Sequence, residues 1–131
     1  MEYSFTAWGH PNITGKHKRT LEFTRANDVS LDGDCILGIS ANFSVYDLRE
    51  LVNQTEKLKM VISAGEISDE VIFMPNRTFN DEEEIVVRMG DFSSDRTFGV
   101  KADKACAFLK KELIARLKDP SQKIDVLITD V

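Results

Sequence analysis

Residues recur along this chain at a constant spacing, and that recurrence limits the possible fold more than any other feature of the sequence. Asp34, Gly38, Ala41 and Leu48 return as Asp95, Gly99, Ala102 and Leu109, while Ile39/Val100, Asn42/Asp103 and Val52/Leu113 match by type. Upstream, Pro11-Asn12-x-Thr14 returns as Pro75-Asn76-x-Thr78. Hydrophobic periodicity gives both halves the same order of strand, strand, strand, helix, strand. The expectation is a tandem duplication of a β-β-β-α-β unit, with halves at about residues 1–65 and 66–131. A unit of that size is marginal alone, so the two should share one core as a single domain about a pseudo-twofold axis. Short links between consecutive strands favour antiparallel pairing. The expected fold class is therefore α+β, with a mostly antiparallel, barrel-like sheet closed or nearly closed and two flanking helices.

The elements themselves are legible. Thr20-Leu21-Glu22-Phe23-Thr24 alternates as a half-buried strand, with Lys18, Thr20 and Glu22 on its polar face. Further strands are expected at Cys35–Ser40, Lys59–Ser63, Glu70–Met74, Glu84–Arg88, Arg96–Val100 and Ile124–Ile128. One helix is expected over Val45, Leu48, Leu51 and Val52, closing near Lys57, and a second over Ala105, Leu109, Leu113 and Leu117. Gly38 and Gly99 lie inside strand patterns, where glycine marks a close backbone approach. Asn42 and Asp103, each at a strand-to-helix junction, are good helix caps, with Ser44 and Asp47 as an alternative cap. The same junctions could bind an anion, which makes Asn42 and Asp103 candidate ligand-binding residues.

Charge and targeting narrow the function. The net charge of −5 divides into −1 for residues 1–65 and −4 for residues 66–131, an acidity that disfavours a broad nucleic-acid surface. Met1–Trp8 has no basic, then apolar, signal pattern, and no run has the roughly 20 apolar residues of a membrane span. A cytoplasmic location with reduced Cys35 and Cys106 is expected, and the four Asn-x-Ser/Thr sequons read as coincidence. Asp81-Glu82-Glu83-Glu84 reads as a solvated loop.

What the halves do not share points to a site in the first. His10 aligns with Met74, Cys35 aligns with Arg96, and Lys16-His17-Lys18-Arg19 has no counterpart. The candidate catalytic residues are His10, His17, Glu22, Asp34 and Cys35, since imidazole, carboxylate and thiolate can serve as base, nucleophile or metal ligands. Lys16, Lys18 and Arg19 are the candidate anion-binding residues. No CxxC, HExxH, P-loop or GxSxG motif occurs, so no metal or cofactor is assigned.

Three blocks carry a family resemblance. Gly9-His10-Pro11-Asn12-Ile13-Thr14-Gly15-Lys16-His17-Lys18-Arg19-Thr20-Leu21-Glu22-Phe23-Thr24, Gly33-Asp34-Cys35-Ile36-Leu37-Gly38-Ile39, and Asp95-Arg96-Thr97-Phe98-Gly99-Val100-Lys101-Ala102-Asp103-Lys104-Ala105 resemble, in that order, the blocks of an archaeal family catalogued as domain of unknown function 371. The resemblance implies an intracellular archaeal protein without an established activity. It adds weight to His10, His17, Glu22, Asp34 and Cys35, which fall inside the blocks. Asn42-Phe43 departs from the Asp103-Lys104 of the second copy, so a role needing that acid–base pair in both halves does not extend to this chain.

The leading expectation is a small binding module for a small anionic ligand or a protein partner. The alternative is a hydrolytic or metal-dependent enzyme using His10, His17 and Cys35, which requires those groups to converge within about 3–4 Å of one another or of a shared metal. A third reading, an RNA-associated accessory protein, rests on Lys16 to Arg19 with Trp8 and Phe5 nearby. Whether the chain is an enzyme at all, and its oligomeric state, stay open.

Overall fold

The computed structural model describes every residue from Met1 to Val131. Eight strands and two α-helices follow in the order β1 (Glu2–Trp8), β2 (Thr20–Thr24), β3 (Ile36–Gly38), α1 (Val45–Gln54), β4 (Leu58–Ala64), β5 (Ile67–Pro75), β6 (Glu84–Arg88), β7 (Thr97–Val100), α2 (Lys111–Leu117) and β8 (Lys123–Asp130). The strands form one mixed sheet in the order β1-β8-β4-β5-β7-β6-β2-β3. Most neighbours are antiparallel, and β2 with β3 and β6 with β7 are parallel. The sheet does not close into a barrel. Between its two edges, the segment following β3 meets β1 at an isolated bridge between Trp8 and Ile39 and at Asn42 with Thr6, without forming a ladder, because β3 is three residues long.

Alternation explains how the sheet buries its inner face. In β4, Leu58, Met60, Ile62 and Ala64 point inward, and in β8 so do Ile124, Val126 and Ile128. With Leu48, Leu51 and Val52 of α1 and Leu113 and Leu117 of α2 they join one cluster of 31 buried residues drawn from both halves of the chain. Phe73, Phe79 and Phe98 meet edge to face in one part of it, and Phe5, Phe23 and Phe43 in another. No helix is long and apolar enough to cross a membrane.

Local hydrogen bonds recur between the halves. Glu22 N–H donates to Cys35 O (2.8 Å) and Val86 N–H to Arg96 O (3.0 Å); Ala41 N–H donates to Thr24 O (2.9 Å) and Ala102 N–H to Arg88 O (3.0 Å). Ser40 and Lys101, one residue earlier in each half, share a positive φ of 50° and 55°, a left-handed conformation uncommon for side-chain-bearing residues. Both parallel pairings shift register just ahead of a glycine pair, Phe23 with Gly38 and Val87 with Gly99. At Gly99 the reason is contact: a Cβ there would lie 2.1 Å from Cδ2 of Phe73.

Three sequence expectations change in detail. The second helix starts at Lys111, because Ala105 is extended and Cys106–Phe108 form a single 3-10 turn. That turn is held elsewhere: the Cys106 thiol donates to Cys35 O (3.1 Å) and Ala107 N–H to His17 O (3.0 Å). Strand β2 is buried along its whole length, since β3 and β6 flank it on both edges and the side chains of His17, Cys35 and Arg96 lie against Thr20 and Glu22 on the face expected to be polar. Asn42 and Asp103 cap no helix. Their Oδ1 atoms accept the N–H groups of Thr6 (2.8 Å) and Ile72 (2.9 Å), tying each junction to a strand, while Ser44 caps α1 by accepting Asp47 N–H.

Candidate functional site

Burial and charge concentrate around Glu22. This carboxylate is buried in the middle of β2, with Arg96 Nη1 at 3.6 Å and the Cys35 thiol donating to its Oε1 at 3.6 Å. Arg96 in turn binds Glu84, the other carboxylate of the group. Burial, followed by the nearby negative charge of Glu84, pushes the Glu22 carboxyl up to about 7, which Arg96 only partly offsets. The same burial and the charge of Glu22 push the Cys35 thiol up to about 11. That is the reverse of the electropositive, accessible setting that activates a cysteine: at neutral pH Cys35 is a thiol donor.

The histidines have different surroundings. His17 Nδ1 accepts the N–H groups of Arg19 and Thr20 (both 3.1 Å) and lies 3.1 Å from the Thr20 hydroxyl, which also neighbours Cys35. Accepting at Nδ1 leaves the proton of the neutral ring on Nε2. Asp34 joins through its backbone carbonyl, which accepts His17 N–H at 3.3 Å. His17, Asp34, Cys35 and Glu22 are thus linked through Thr20 and the main chain. His10 is employed elsewhere, with Nε2 2.8 Å from Asp28 and Nδ1 accepting Asn12 N–H. No three His, Cys, Asp or Glu side chains are grouped so as to hold a metal ion. Phe5 is buried in the core and is not available to stack on a base.

A groove of about 590 Å³ opens between the loop at residues 14–18 and α2. Lys16 and Lys18 reach it from the loop, and Lys111 and Lys118 from the helix end to end. Its apolar surface comes from Leu109, Ile114, Ala107 and Ala115, with Cys106 beneath. No carboxylate lines it, and none of the four ammonium groups takes part in an ion pair. The hydroxyl of Thr14, which also lines the groove, is buried without any hydrogen-bond partner. Buried polar atoms are nearly always partnered. Gly15 shapes the rim: its φ of +61° turns the loop, and a Cβ there would meet Ile114 Cδ1 at 2.7 Å. Arg19 lies away from the groove, with its guanidinium beside Gly90.

Residues 5–130 match the sequence profile described as Domain of unknown function (DUF371). The chain belongs to the DUF371 family. It is also 28 % identical over 134 residues to an uncharacterised protein of Methanocaldococcus jannaschii, a match covering 98 % of this chain and 99 % of that one. The family resemblance drawn from the three sequence blocks therefore holds.

Two groove-forming sets escaped the sequence reading of this DUF371 chain. Lys111, Ile114, Ala115 and Lys118 are spaced to lie on one helical face, a readable signal, but nothing in the sequence pairs that face with residues 14–18. Thr14 was visible only as part of a repeated motif. A smaller cavity of about 340 Å³ lies on α1, lined by Val45, Tyr46, Arg49, Glu50, Asn53 and Asn80.

Proposed function

We propose that this protein is a binding module for a small anionic ligand, held in the groove by Lys16, Lys18, Lys111 and Lys118. The observation that carries the reading is one apolar-floored cleft lined by four lysines that take part in no ion pair and by no carboxylate, in a chain whose net charge is −5. The volume falls in the range of about 300–1,000 Å³ usual for small-molecule sites.

Tandem duplication of a β-β-β-α-β unit supports the same conclusion. Repeated strand pairings, recurrent junction hydrogen bonds and the shared positive φ of Ser40 and Lys101 favour that origin and a pseudo-twofold arrangement. Because α2 starts only at Lys111, the helices align four residues on from the spacing at the junctions: buried Leu48 and Val52 of α1 match buried Leu113 and Leu117 of α2 rather than Leu109 and Leu113, which makes the cavity on α1 the counterpart of the lysine groove. Tyr46, Asn53 and Asn80 then stand where the lysine groove has Lys111, Lys118 and Lys16. The fold accepts uncharged residues at those places, so the charges serve something other than folding. Thr78, counterpart of Thr14, donates its hydroxyl to Asn76 Oδ1 at 3.0 Å, so the unpartnered hydroxyl belongs to the lysine groove alone.

Calorimetric titration with inorganic phosphate and pyrophosphate tests the reading. Binding should weaken with salt, and thermal stability should rise by about 2.7 kcal/mol at a ligand concentration 100 times Kd. Lys16→Gln/Lys111→Gln should abolish it while leaving the free protein folded. Absence of any phosphate response would sink the proposal.

A further inference from the structure

The lysines ring the groove, but its floor is hydrocarbon. Ile114 and Ala115 of α2, with Ala107 and Leu109 of the preceding turn, face a space far larger than one phosphate requires. Ile114 is only partly buried, although it packs against the core. An inorganic anion, or a sugar phosphate with hydroxyls all round, would leave that surface in contact with water or with polar groups it cannot satisfy. The floor is short of donors and acceptors: the thiol of Cys106 is already committed to Cys35 O, and the Thr14 hydroxyl has no accessible surface.

We infer that the ligand is a soluble phosphorylated compound with an apolar body, its phosphate or diphosphate end gathered by Lys16, Lys18, Lys111 and Lys118 and its hydrocarbon part lying on Ile114 and Leu109. The inference rests on the anion-binding reading above and specifies the ligand class for the same groove. Charge complementarity selects an anionic headgroup, since no acidic side chain lines the cleft. Hydrophobic burial fixes the other end, and it is non-directional, so the body needs apolar area more than a particular shape.

Methyl, butyl and hexyl phosphate, titrated into the full chain, separate this inference from the reading beneath it. Each methylene buried on the floor should strengthen binding roughly fourfold, until the floor is covered. Ile114→Ser should flatten that dependence while methyl phosphate binding stays as in wild type; Lys111→Gln should weaken all three alike and keep the dependence. Should Ile114→Ser fail to fold, Ala115→Ser is read in its place. Equal affinity for methyl and hexyl phosphate overturns the apolar body and leaves the anion site standing. No binding of any member overturns both. Equal binding of hexyltrimethylammonium would show that hydrocarbon alone is recognised and overturns the phosphate end. Sedimentation with phosphatidylglycerol vesicles, without affinity for soluble hexyl phosphate, would assign the lysines to a lipid surface and overturn a soluble ligand.

Discussion

Replacing Glu22 with glutamine should remove a pH dependence of stability that wild type carries near neutrality. In the folded chain this carboxyl is buried beside Glu84 and retains its proton up to about 7, against 4.5 for an ordinary glutamate. Because its folded value is raised, the stabilisation is complete below about 4.5, where both states are protonated. It is lost as pH climbs toward 7, while the unfolded chain ionises and the folded one does not. A difference of about 2.5 units, at about 1.36 kcal/mol each, amounts to roughly 3 kcal/mol between pH 4.5 and 8. For a chain of this length that is roughly 10 °C in Tm. The groups facing it are Glu84, Arg96 and the Cys35 thiol. Denaturant unfolding at half-unit pH steps should give a wild-type curve that descends relative to Glu22→Gln by about that amount. Parallel curves would refute the reasoning, because the cost of charging Glu22 inside the sheet would then be absent.

Two further outcomes follow from packing and from the thiols. Gly99→Ala should destabilise the fold by about 3 kcal/mol or more, read from denaturant midpoints, since its Cβ would sit 2.1 Å from a buried phenyl ring. Cys35 should react with iodoacetamide far more slowly than a free thiol at pH 7.5, its rate rising only toward pH 11; fast labelling of the folded protein would contradict the thiol–carboxylate contact with Glu22.

Strands β2 and β6 match the sequence reading residue for residue, because alternation and short apolar runs are local signals. The start of α2 was misread for a physical reason: Ala105, Cys106 and Leu109 are buried at helix-like spacing, but bonds from Cys106 and Ala107 to Cys35 and His17 hold the segment in another shape. Those bonds join residues more than 70 positions apart, which no window along the chain can register. The site was half legible. Lys16 and Lys18 stood out as an unrepeated cluster, but confining attention to the first half hid Lys111 and Lys118. The groove exists only where the two halves meet.

Glu22 pairs in the sheet with Val86, an aliphatic neighbour that can neither share nor balance a charge across the ladder. With the Cys35 thiol and the Arg96 guanidinium each at 3.6 Å, the carboxyl is answered only from the strands and loops beyond its direct partner. Gaining or losing a proton near pH 7 therefore changes the charge at the middle of the sheet, with Glu84 rather than Val86 as the group that opposes it.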